Sequence, residues 1–70
     1  MNLTVGSTLT IGKVGIEDDS VVIQEITPTN SGQKITFVDR DFNVSGNDEK
    51  GYYAQLGNLD LGEVTIHQPI

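Results

Sequence analysis

Cysteine and tryptophan are absent from the 70 residues, histidine occurs once, and only four side chains are cationic. Without cysteine there is no disulfide and no thiolate metal ligand, and the lone His67 cannot by itself build a zinc site of the usual composition. No cofactor is implied. The cations Lys13, Lys34, Arg40 and Lys50 are scattered among ten acidic residues, giving a net charge of -6. Neutralising phosphates needs a clustered basic patch, so direct nucleic-acid binding is not expected, and an anionic membrane surface is disfavoured for the same reason. No apolar run approaches the roughly 20 residues of a membrane span, and residues 1–16 lack the continuous apolar stretch of a signal peptide. The expectation is a soluble, cytoplasmic protein.

At 70 residues the chain is at most one domain, read as a single unit over 1–70. Hydrophobic residues are 36% of the chain, below the usual 45–50% or so even allowing for the glycine that the latter figure includes, and a domain of this size buries only about 60% of the surface its unfolded chain exposes. The core must be thin, and small domains of this kind usually carry a staple. With disulfides and metals set aside, self-association remains, so a homo-oligomer is expected.

Helical periodicity fails nearly everywhere, because eight Gly, two Pro and seven Thr interrupt every long window. Strand signals take its place. Leu9, Ile11, Val14 and Ile16 alternate with small or polar residues, with a change of phase near Gly12 that suits a bulge. Glu17-Asp18-Asp19 reads as a tight turn, followed by a β-branched strand over 20–27 that suits a position covered on both faces. Pro28 to Gly32 reads as a loop, and 33–38 as a strand with Ile35 and Phe37 on one face. Phe42 and Val44 resume the pattern after 39–41, giving one long bent strand or two short ones; 45–50 is a polar turn, 52–56 a strand, 57–60 a turn and 61–67 the last strand. The sum is all-β: a five- or six-stranded antiparallel meander closing into a small SH3-like or OB-like barrel, or a compact sandwich.

Charge is distributed unevenly along this meander. Positions 17–50 hold eleven of the fourteen charged residues, leaving only Lys13, Asp60 and Glu63 outside. Exposed edge strands are normally guarded by charge or proline, and the two terminal strands have little of either. They should therefore be paired, with each other or with the same strands of a second subunit. In the second case Leu9, Ile11, Leu61, Val64 and Ile66 would form the interface.

Two places suit partner or ligand contact. Tyr52 and Tyr53 are adjacent, so a strand sends one inward and the other outward, and an exposed tyrosine offers large contact area at low entropy cost. Asp39, Arg40 and Asp41 interrupt the apolar pattern and form the second candidate. Oxygen-bearing side chains at alternate positions from Asp39 superficially suit calcium, but Val44 and Lys50 stand where a calcium loop needs glycine and glutamate, which leaves a solvated face. The acidic side chains as a group would also suit a basic groove on a partner, in the manner of inhibitors that imitate nucleic acid.

Two strings, 19–23 (Asp-Ser-Val-Val-Ile) and 59–68 (Leu59 to Gln68), resemble segments of the trp RNA-binding attenuation protein family, whose members are ring-forming β-proteins. The likeness spans 5 + 10 of the 70 residues, the basic residues with which that family binds RNA have no counterparts, and no residue role carries across. No constellation of nucleophile, base and metal ligand is visible, so the expected function is not catalysis. The reading is a self-associating binding protein, an accessory or inhibitory factor of bacterial or phage type acting on another protein. Two alternatives stand beside it: an oligomer binding a nucleotide or signalling metabolite, and a structural subunit of a larger assembly such as a phage particle.

Overall fold

The structure, a computed structural model, describes residues 3–13 and 16–68. Six strands follow in order: β1 (Thr8–Lys13), β2 (Ile16–Thr29), β3 (Gly32–Phe37), β4 (Phe42–Asn47), β5 (Gly51–Leu56) and β6 (Leu59–His67). Each pairs antiparallel with the next and β6 returns to β1, so the meander closes into a small barrel. Among the described residues there is no helix, and hence none that is long and apolar enough to cross a membrane.

Period-two alternation builds the core, each strand sending alternate side chains to the interior. β1 supplies Leu9 and Ile11, β2 Val21 and Ile23, β3 Ile35 and Phe37, β4 Val44, β5 Tyr52 and Ala54, and β6 Val64 and Ile66, all buried. Phe42 caps this stack at one end, its ring 5.4 Å from that of Phe37.

A strand must bend to close a barrel, and bulges provide the bends. The register of β1 against β2 shifts between Ile11 and Lys13, at the glycine where the sequence pattern changes phase. β2 shifts again between Ile23 and Glu25, which divides its 14 residues into a half paired with β1 and a half paired with β3. The third shift makes Leu61 the extra residue of β6, since Gln55 pairs with Asp60 and Ala54 with Gly62. Closure rests on Thr10 opposite His67, Ile11 opposite Ile66 and Gly12 opposite Thr65, with the Thr65 hydroxyl donating to the Gly12 carbonyl at 3.3 Å. The terminal strands thus cover each other within one chain.

Several turns lie elsewhere than their composition indicates. Asp19 is in β2 opposite Ile11, and Lys13 pairs with Ile16, so 17–19 belong to a strand rather than to a turn. The loop expected over 28–32 shrinks to Asn30-Ser31, because Pro28 pairs with Gln33 and Thr29 with Gly32. Proline is tolerated there because this half of β2 has no second strand partner among the described residues, so its missing N–H breaks no ladder. β4 runs on to Asn47, and β6 begins at Leu59 rather than Leu61. β2 is covered on one face only: Val22, between buried Val21 and Ile23, is exposed. Val14 lies outside the described residues.

Candidate functional site

Gly51 leads β5 out of the β4–β5 turn, and the two tyrosines that follow it alternate between the faces of the strand. Tyr52 points inward and is buried, with its hydroxyl at the barrel surface. That hydroxyl donates to Asp48 Oδ1 at 2.9 Å and accepts from Gln33 Nε2 at 3.3 Å. Burial, ahead of the neighbouring carboxylate, pushes its pKa above the ordinary value of 10.0. Tyr52 is therefore a core residue with a satisfied polar tip. Tyr53 points outward and is 42% exposed.

Around Tyr53 the register sets out a four-strand outer face. Lys34 lies opposite Ser45, Ser45 opposite Tyr53, and Tyr53 opposite Glu63, while Thr36, Asn43, Gln55 and Asp60 form the next row. An open depression of about 410 Å³ sits beside the ring, lined by Ser45, Asn47, Lys50, Gln55 and Asp60 among others. Asn47 shapes its wall: Nδ2 donates to the Ser31 carbonyl at 2.6 Å, and Oδ1 accepts from the backbone N–H groups of Glu49 and Lys50 at 3.0 and 2.6 Å. One side chain thereby joins the β2–β3 and β4–β5 turns. The Oδ1 of Asn43, in the second row, is buried with no hydrogen-bond partner.

The chemistry of this face is that of recognition. Ser45 and Gln55 carry both donors and acceptors, which match the amide groups of a peptide, and Tyr53 adds an apolar ring with a polar tip. Among the described residues no group of three or more His, Asp or Glu side chains is placed to hold a metal ion.

Asp39, Arg40 and Asp41 lie in the β3–β4 turn. β4 opens with Phe42, which pairs with Leu56, three residues beyond Tyr53 and so about 10 Å along β5. The structure does not bring the two sequence candidates into one site. Arg40 is engaged within the chain, its Nε 3.3 Å from Asp19 Oδ2 and its Nη2 3.4 Å from Asp19 Oδ1. Asp39 adopts a left-handed backbone (φ 58°), which a short carboxylate side chain tolerates. Leu9, Ile11, Val64 and Ile66, considered above as contacts between subunits, fill the interior of their own barrel, and Leu61 is half-buried against them.

No family model matches the chain, and neither a curated protein nor a solved structure does. The likeness to the trp RNA-binding attenuation protein family therefore remains two short strings.

Proposed function

We propose that the protein is a non-enzymatic binding protein whose working surface is the outer face of β3 to β6 around Tyr53, and that its partner is another protein. The observation that carries this reading is the outward tyrosine itself, exposed in a four-strand face between Ser45 and Glu63, with Asn47, Lys50, Gln55 and Asp60 lining the depression beside it. Tyrosine is, with tryptophan and arginine, among the residue types that dominate protein contacts. The acidity of the chain favours a basic partner, in keeping with an accessory or inhibitory role. Self-association keeps one motive, the small size of the core, since the terminal strands already cover each other.

A second reading, small-ligand binding, draws on the depression beside Tyr53, whose volume of about 410 Å³ falls within the range of about 300–1,000 Å³ typical of small-molecule sites. One experiment separates the two. With a photoreactive phenylalanine analogue at position 53, irradiation in an extract of the source cells should give one discrete protein adduct, and the same label at exposed Thr27 should give none. Failure of position 53 to yield any protein adduct, together with a rise in Tm on adding a metabolite mixture, would overturn the first reading in favour of the second.

A further inference from the structure

We infer that the end of the barrel formed by the β3–β4 and β5–β6 turns docks a cationic, apolar segment of a partner protein, at a place separate from the Tyr53 face and whether or not that face binds. Phe42 pairs with Leu56 and Leu56 with Leu59, so the three side chains form one cross-strand row. Period two places Phe42 on the side of Val44, and Leu56 on the side of Ala54, both buried in the core. The row therefore continues the core out through the mouth of the barrel. Phe42 is half-buried against Phe37, but Leu56 and Leu59 are 42% and 60% exposed. Two adjacent interior-facing leucines left in water are a cost that a partner would relieve.

Charge names the partner. Asp41 precedes Phe42, and Asp39 stands in the same turn as Asp41; both are exposed. Arg40, the cation of that turn, is held side-on by Asp19, which leaves the two carboxylates of the turn in excess. A second copy of this chain would bring the same carboxylates face to face, and an anionic lipid surface would be repelled. A protein segment carrying Lys or Arg beside Leu, Ile or Val matches both features: its apolar side chains cover Leu56 and Leu59 while its cations meet Asp39 and Asp41.

The test uses the full chain, isotope-labelled, titrated at low salt with a short peptide of alternating lysine and leucine and followed by amide chemical shifts. Saturable shifts should centre on Phe42, Leu56, Leu59 and the turn over 38–41, and an all-lysine peptide should bind at least about tenfold more weakly. Leu59→Ser removes a largely exposed side chain, keeps the fold, and should weaken the lysine-leucine peptide about tenfold. Asp39→Asn with Asp41→Asn should weaken it about threefold to fivefold and flatten its salt dependence, whereas Tyr53→Ala should leave it unchanged. The proposal is overturned by equal binding of the all-lysine peptide, by shifts centred on Tyr53, or by the absence of saturable binding. It is equally overturned by shifts at Leu56 and Leu59 that depend on protein concentration without peptide, because a second copy would then be the occupant.

Discussion

Tyr52 and Tyr53 have the same side chain one position apart, yet the pleat gives them opposite surroundings, and the inner one ties stability to pH. The Tyr52 phenol titrates above 10.0 in the folded barrel because burial disfavours the phenolate. Below pH 10 both folded and unfolded chains hold this proton; above it the unfolded chain releases the proton first. The contribution is thus complete below the unfolded value and is lost as pH rises through the folded one. Urea midpoints should fall from about pH 10 upward. Tyr52→Phe should cost about 1–2 kcal/mol at neutral pH, from the loss of the bonds to Asp48 and Gln33, and should remove part of that alkaline fall. An alkaline limb of the same steepness in the variant would show that Tyr52 is not its source.

Among the elements, the hairpins that carry Gly32, Gly46 and Gly51 approach one another more closely than side chains allow. Gly46 lies at φ 147°, and a Cβ there would stand 2.1 Å from the Gly51 carbonyl oxygen, a backbone atom that cannot move aside alone. A Cβ on Gly32 would meet the Gly46 carbonyl oxygen at 2.0 Å. Gly46→Ala should therefore cost more than about 3 kcal/mol by chemical denaturation. Gly57→Ala makes a fair comparison: its φ is 63° but nothing lies within 4 Å, so only backbone strain of about 1–2 kcal/mol applies. Equal losses at the two positions would mean that the strands separate to admit a methyl group.

The strands were legible from their alternation, and so was the bulge at Gly12, because interior positions admit only apolar side chains and each change of phase leaves a mark. The turns were less so. The stretches 17–19 and 28–32 have turn composition, yet strand positions exposed to water, such as Asp19 and Thr29, accept the same residues. This misreading hid the mouth of the barrel: with 57–60 taken as a turn, Leu59 has no facing partner, whereas a two-residue Gly57-Asn58 reversal sets it opposite Leu56. The alternation required one outward tyrosine, but only the register against β4 and β6 identifies it as Tyr53. Nothing in the sequence marks Asn47 as the link between two turns, since that role depends on Ser31 coming near.

For the whole molecule, closure decides how the parts behave together. In an open meander the first and last strands peel away independently, each at the expense of one ladder. Here β1 meets β6 across more than fifty intervening residues, so neither leaves without opening the ring. Amide hydrogens of Ile11 and Ile66 should accordingly exchange with solvent deuterium as slowly as those of Ile35 and Val44, and should respond equally to added urea. Much faster exchange at Ile11 and Ile66 would show that the ring opens at its seam before the barrel unfolds. The short β1–β6 ladder thus acts as a clasp: it turns six ribbons, each too short to persist alone, into one object that is either shut or undone.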